Sequence, residues 1–131
     1  MPRKPPRISA SEWIVANIVW DQPKITAAEV LERLPGDVRW KQKTVNTFLT
    51  RLATKGVLAV RKEGKINRYQ PKIAREACVE AVSNSFLERI FGGWAAPMLA
   101  HFCETAPLSD AEIEDLKSIL RRRQEGGKSD E

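Results

Sequence analysis

Hydrophobic positions in the first part of the chain recur at helical spacing in two segments, 13–20 and 27–34. Each segment is preceded by a hydroxyl residue with Glu three positions later, the spacing of a capping box: Ser9 with Glu12, and Thr26 with Glu29. The patterns therefore predict two helices, the first of them largely buried.

A third helix is predicted over residues 41–55, ending at Gly56. Its apolar residues fall in one arc and its polar ones in the opposite arc: Val45, Phe48, Leu49 and Leu52 against Lys43, Thr47, Thr50 and Thr54. Alternation and turn residues then predict a β-hairpin over 57–71, with its turn at 63–65. Three helices followed by a hairpin are typical of a winged helix-turn-helix domain.

The composition changes after Pro71, and three further helices are predicted. They cover 73–91, 94–104 with Pro97 in the first turn, and 111–123 behind a third capping box. About 50 residues rarely bury enough apolar surface to fold alone, so we expect a second copy of the chain to cover them. The apolar positions assigned to dimerisation are Phe86, Leu87, Ile90, Phe91, Leu99, Phe102, Ile113, Leu116 and Leu120.

The predicted fold class is mainly α with a small β-hairpin, a winged helix-turn-helix domain followed by a helical dimerisation domain. We divide the chain into a flexible basic arm (1–7), the winged-helix domain (8–72), the dimerisation domain (73–123) and a disordered tail (124–131). No apolar run is long enough to span a membrane, so membrane insertion is not expected. Two cysteines without zinc-site spacing fit a reduced, cytoplasmic setting.

Charge divides the chain unevenly, because residues 1–72 carry a net +9 and residues 73–131 a net −4. Between Val38 and Lys62 there are seven Lys and Arg residues and no Asp or Glu. A basic half and an acidic half indicate that one region binds a polyanion while the other assembles or is regulated.

Two groups of residues are candidates for DNA contact. In the third helix they are Lys43, Thr44, Asn46, Thr47, Thr50, Arg51 and Thr54, whose hydroxyl, amide and cationic groups suit base edges and phosphates in a major groove. In the hairpin they are Arg61, Lys62, Lys65 and Arg68. A simpler interpretation of the helix residues is a face that is only solvated. A simpler interpretation of the hairpin residues is an edge strand whose lysines prevent pairing with strands of other molecules.

No catalytic constellation is present, and the chain is interpreted as a binding protein rather than an enzyme, without a cofactor. His101 and Cys103, with Cys78, are a weaker candidate for a metal or redox site, and no metal ligands are assigned. Two other functions stay open: a winged-helix regulator that senses a small ligand or metal, and a winged-helix module that contacts proteins.

Several short segments along the chain are informative in combination: Ile8-Ser-Ala-Ser-Glu-Trp13, Trp20, Lys43-Thr-Val-Asn-Thr47, Thr50-Arg-Leu52, Lys55-Gly56, Ser85-Phe-Leu-Glu-Arg-Ile-Phe-Gly-Gly93 and Leu108-Ser-Asp-Ala-Glu-Ile113. Together they resemble the penicillinase-repressor family of BlaI, MecI and CopY. The similarity extends from Ile8 to about Leu120. Their order and spacing together carry the resemblance.

The resemblance implies a homodimeric repressor of transcription that binds double-stranded DNA at palindromic operators of TACA/TGTA type. It also implies control of β-lactam-resistance or related genes, relieved by proteolysis in the C-terminal domain through a membrane sensor protease system. The β-lactam-responsive members are cut at an Asn-Phe bond, and this chain has His101-Phe102 at the matching place. The C-terminal cysteine cluster of the copper-responsive members is absent from the sequence.

Overall fold

The computed structural model describes the backbone of residues 6–129 and the side chains of residues 6–126. The elements in chain order are α1 (Ala10–Asp21), β1 (Ile25–Thr26), α2 (Ala27–Glu32), α3 (Gln42–Thr54), β2 (Leu58–Glu63), β3 (Ile66–Pro71), α4 (Arg75–Phe91), α5 (Ala95–Thr105) and α6 (Asp110–Ser129). Every helix and both hairpin strands expected from the sequence are present, so the predicted fold class is confirmed.

The three predicted capping boxes form as reciprocal pairs of hydrogen bonds. At α1 the backbone N–H of Glu12 donates to Ser9 Oγ at 3.1 Å, and the N–H of Ser9 donates to Glu12 Oε1 at 2.8 Å. Equivalent pairs start α2 at Thr26 and α6 at Ser109. Each box satisfies two of the N–H groups that a helix start leaves without a partner.

A three-stranded antiparallel sheet in the order β1-β3-β2 closes the first half of the fold. Tyr69 of β3 lies opposite Ile25 of β1 on one side and Val60 of β2 on the other. The sequence did not predict β1, because two residues are too short to show an alternating pattern. β2 and β3 with their Gly64 turn form the wing of a winged helix.

The hydrophobic core lies between α1, α2, α3 and the sheet. Its buried members are Val15, Ala16, Val19, Ile25, Val30, Val45, Leu49, Leu52, Val57, Leu58 and Tyr69. The apolar arc predicted for α3 is therefore the buried one, with Phe48 at its edge, where its ring lies 4.9 Å from that of Trp40.

The chain divides into two compact units inside α4, between Phe86 and Leu87. Two hydrogen bonds fix the start of α4 to α1: Trp20 Nε1 donates to the carbonyl of Ile73 at 3.0 Å, and Arg75 Nε donates to Asn17 Oδ1 at 2.9 Å. The change in composition at Pro71 therefore precedes the boundary between the compact units.

α6 continues to Ser129, although the sequence pattern predicts that this helix ends at 123 and that a disordered tail begins at 124. Glycines at 126 and 127 favoured an earlier end, but the backbone stays helical through them. Residues 1–5 of the predicted basic arm and residues 130–131 of the tail lie outside the described residues. In the part that is described, no helix is both long enough and apolar enough to cross a membrane.

Candidate nucleic-acid interface

The outer face of α3 presents most of the predicted recognition residues to solvent. Six are exposed and Thr44 is half-buried: Lys43, Asn46, Thr47, Thr50, Arg51 and Thr54 are the exposed ones. α3 contains no Asp or Glu, so no carboxylate of this helix opposes an approaching phosphate.

α3 is held by its buried residues and by one polar contact to α2. Val45, Leu49 and Leu52 are fully buried, which fixes the rotation of the helix about its axis. At its start, Gln42 Nε2 donates to the backbone carbonyl of Ala27 at 3.0 Å. The exposed residues therefore stand on a helix whose orientation is determined by the core.

Three of the candidate side chains in α3 have an intramolecular contact that restricts their orientation. Asn46 Oδ1 accepts a hydrogen bond from Gln42 Nε2 at 3.2 Å. Thr47 Oγ1 donates to the carbonyl of Lys43 at 3.0 Å, so its oxygen is left to accept from a ligand. The guanidinium of Arg51 lies 5.8 Å from the ring centroid of Phe48, a cation–π distance. A guanidinium packed on a ring still has N–H groups at the edge of its own plane, where they can donate hydrogen bonds to a ligand.

Lys55, which belongs to the acid-free stretch, is engaged inside the protein. Its Nζ lies 2.6 Å from Glu12 Oε1 and donates to the carbonyl of Arg7 at 2.8 Å. Glu12 is only 2% exposed. Burial raises the pKa of Glu12, but the hydrogen bonds from Lys55 and Ser9 outweigh it, and the net pKa is lowered.

The four basic residues predicted to contact DNA in the wing differ in their exposure and in their hydrogen bonds within the protein. Arg61, Lys62 and Lys65 are exposed. Arg68 instead bonds Glu63 Oε2 through Nε at 2.6 Å and the carbonyl of Lys24 through Nη1 at 2.9 Å. These contacts of Arg68 join β3 to the wing tip and to the residue before β1. The contact of Arg68 with DNA stays a prediction.

Two open clefts border these elements. One, of about 490 Å³, is lined mainly by Lys24, Arg61, Lys62 and Arg68, and is basic. The other, of about 450 Å³, joins the start of α2, the polar side of α3 and the wing; its lining includes Thr26, Ala28, Asn46, Thr50 and Asn67. Helix and wing residues thus meet at one surface.

The second compact unit exposes apolar side chains. Ile90, Leu99, Phe102, Ile113, Leu116 and Leu120 of the predicted dimerisation set are exposed, as are Trp94 and Ile119, while Leu87 and Phe91 are half-buried. Phe86, also half-buried, is the last residue of the first unit.

The bond between His101 and Phe102 lies in the middle of α5, where Thr105 Oγ1 donates to the carbonyl of His101 at 2.8 Å. Cys103 is exposed in α5, whereas Cys78 is buried in α4, and burial raises the pKa of the Cys78 thiol. The side chains described include no cluster of three or more His, Cys, Asp or Glu residues able to hold a metal ion.

The family model described as "Penicillinase repressor" matches residues 8–122. The chain belongs to this family. A penicillinase repressor of Bacillus licheniformis is 37% identical over 118 residues, which are 90% of this chain and 92% of the relative. The methicillin resistance regulatory protein MecI of Staphylococcus aureus is 31% identical over 94% of this chain and its own full length.

A solved structure of the DNA binding domain of the repressor BlaI is 35% identical to this chain. It covers 59% of this chain and 93% of the BlaI domain, with a TM-score of 0.50. Both the family match and the similarity to the BlaI DNA binding domain agree with the family resemblance of the sequence motifs.

Sequence reasoning missed residues whose role depends on distant contacts. Gln42 and Asn67 carry no charge and belong to no periodic pattern, yet they lie at the junctions of α3 with α2 and with the wing. The ion pair of Lys55 with Glu12 was also missed, although a Glu at the start of a largely apolar helix is a signal that a cation lies nearby.

Proposed function

We propose that this chain is a sequence-specific DNA-binding repressor of transcription that acts as a homodimer. The observation that carries the proposal is the outer face of α3, which is exposed, cationic and hydroxyl-rich, and contains no carboxylate. A helix of this kind suits a major groove, where Lys and Arg meet phosphates or guanine and Thr and Asn meet base edges. The wing adds the exposed cations Arg61, Lys62 and Lys65.

Family membership supports the same function. The relatives are named as repressors or as regulators of methicillin resistance, and the BlaI domain is described as a DNA-binding domain. On this basis the controlled genes are β-lactam-resistance or related genes.

The second unit supports the dimer. Among residues 87–126, whose side chains are described, none is buried, and Trp94 is 73% exposed. A helical unit without a buried core of its own needs a covering surface, and a second copy offers the same apolar residues across a two-fold axis.

A dimer would present its two copies of α3 to successive major grooves, about 34–36 Å apart. The operator is then a pseudo-palindrome, and the TACA/TGTA type of the family is the expected half-site. The wing of each copy contacts the backbone beside its half-site, because phosphate contacts fix the register while base contacts specify the sequence.

Relief of repression would follow from loss of the second unit, since separated binding domains lose the advantage of joint binding. The proposed cut lies at His101-Phe102, through a membrane sensor protease system. This bond lies inside α5, so cleavage requires local opening of that helix.

Selection from a pool of random duplexes tests the proposal. The full chain should enrich a two-fold symmetric site whose half-sites are one helical turn apart. Recovery of an asymmetric site, or no enrichment over the starting pool, would contradict a dimeric repressor, and the second result would favour a protein-interaction module.

A further inference from the structure

Gln42 is the first residue of α3 and uses one amide group for two contacts. Nε2 of this half-buried residue donates to the carbonyl of Ala27 at 3.0 Å and to Asn46 Oδ1 at 3.2 Å. Asn46 is one helical turn after Gln42, on the same side of α3. The Gln42 side chain therefore links the start of α2 to a residue on the outer face.

The carbonyl of Ala27 decides how both amides are oriented. A backbone carbonyl only accepts hydrogen bonds, so Gln42 must direct its NH₂ group, and not its oxygen, toward Ala27. The other hydrogen of that NH₂ group points to Asn46, which must then present Oδ1. The Asn46 amide is thus set by a backbone atom of another helix.

The consequence is that Asn46 directs its two N–H donors away from Gln42. Among residues 6–126 no protein group accepts a hydrogen bond from Asn46 Nδ2. Asn46 is exposed and borders the 450 Å³ cleft together with Thr50 and Asn67. Its donors are available to a molecule that approaches the outer face of α3.

We propose that Gln42 is a positioning residue that makes Asn46 a reader of hydrogen-bond acceptors in the major groove. Guanine presents the acceptors N7 and O6, and thymine presents O4. A freely rotating Asn pairs with adenine by donating to N7 and accepting from N6. With Oδ1 turned toward Gln42, Asn46 meets the N6 donor of adenine with a second donor instead of an acceptor, and this opposes adenine although its N7 accepts. Each half-site therefore has guanine or thymine facing Asn46. This inference rests on the proposed DNA-binding function.

The test uses the full chain and the duplex site that it selects. Affinity is measured for the site and for each single base-pair replacement in one half-site, which gives a preference at every position. Asn46→Ala identifies the position that Asn46 reads, because preference is lost there alone. For the unsubstituted chain we expect the affinity with guanine or thymine at that position to exceed the affinity with adenine or cytosine by roughly 5- to 100-fold, which is the range of a good base contact.

Variants of Gln42 then test the positioning role. Gln42→Leu removes both hydrogen bonds and should reduce the preference at that position to within about 3-fold. Gln42→Glu cannot donate to Ala27 but accepts from Asn46 Nδ2, so it should move the preference toward adenine or cytosine. Asn46→Asp should cause the same move while Gln42 stays intact.

The controls separate a local effect from a general one. Gln22→Leu makes the same chemical change at an exposed residue outside α3 and should leave the preference at every position unchanged. Thermal unfolding of each variant shows whether the fold is kept, and Asn46→Asp remains informative if a Gln42 variant unfolds.

Three results would overturn the inference while the proposed function stands. They are an unsubstituted chain that prefers adenine or cytosine at the Asn46 position, an Asn46→Ala variant with every preference intact, and folded Gln42 variants that keep the original profile. If the unsubstituted chain selects no site, the proposed function itself is contradicted. A loss confined to the Asn46 position in Gln42→Leu supports the inference.

Discussion

Replacing Lys55 with methionine would remove the cation that faces the buried carboxylate of Glu12. In the folded protein Lys55 Nζ lies 2.6 Å from Glu12 Oε1. Glu12 Oε2 is buried without a hydrogen-bond partner among the described residues. The carboxylate therefore depends on Lys55 and on the N–H of Ser9, and Lys55→Met leaves it with one of these two partners.

The cost follows from the burial of the two groups. Breaking a fully buried ion pair by removing one partner costs about 3–5 kcal/mol, and losing a hydrogen bond to a charged group costs about 1.5–3 kcal/mol. The Lys55 side chain is 33% exposed, so water already screens part of the attraction. We therefore expect Lys55→Met to lower the free energy of unfolding by about 2 kcal/mol at pH 7.

The pH dependence has a defined sign. In the unsubstituted chain the pKa of Glu12 is lowered on folding, so its contribution is complete above about pH 4.3, the ordinary value, and is lost as the pH falls through the folded pKa. Removing Lys55 takes away its hydrogen bond and its charge, both of which lower the pKa of Glu12, so in the variant Glu12 takes up a proton at a higher pH than in the unsubstituted chain. The difference in stability between the two proteins should shrink on acidification.

Urea unfolding at pH 7 and at pH 4 measures both effects. Lys41→Met is the matched control, because Lys41 is exposed and its side chain makes no capping bond; we expect a change within about 0.5 kcal/mol. Adding Glu12→Gln to Lys55→Met should recover stability at pH 7, since no charge is then buried. A cost below about 0.5 kcal/mol, or a cost that grows on acidification, would refute the reasoning.

Three further substitutions probe other parts of the fold and of the interface. Gly56→Ala should lower the free energy of unfolding by about 1 kcal/mol in thermal unfolding, because residue 56 has φ +83°, which disfavours any residue with a Cβ. Gly36→Ala is the control, since an added Cβ has no atom within 4 Å at either position and Gly36 has no positive φ. An equal cost in the two variants would contradict this reasoning. Arg51→Ala should weaken operator binding by about tenfold or more in a gel-shift titration, and an unchanged affinity would remove Arg51 from the proposed interface. Leu116→Asp should halve the mass measured by analytical ultracentrifugation, because it places a charge in the proposed dimer interface. Ser118→Asp adds the same charge to α6 and should leave the mass unchanged. A dimer that survives Leu116→Asp would contradict the proposed interface.

Local sequence signals predicted most of the fold. Capping boxes at Ser9, Thr26 and Ser109 identified three helix starts, because they depend on residues only three positions apart. The arc of Val45, Leu49 and Leu52 identified the buried side of α3, and therefore also the face left for a ligand.

Features that depend on distant contacts could not be predicted in the same way. β1 exists through its pairing with β3, and the boundary between the compact units depends on contacts such as that of Trp20 with the carbonyl of Ile73. The engagement of Arg68 by Glu63 and by the carbonyl of Lys24 is likewise set by the sheet. A count of charges treats such a cation as free, and only the structure separates it from exposed ones such as Lys62.

The salt dependence of operator affinity is the measurement that tests the proposed DNA-binding function most directly. A dimer that places α3 and the wing of each copy on DNA neutralises several phosphates, and six to ten such contacts lose about 10³- to 10⁵-fold in affinity between 50 and 200 mM salt. We predict a linear fall of log K with log salt and a loss in that range for the selected site. An affinity that changes less than about tenfold over the same interval would contradict the account.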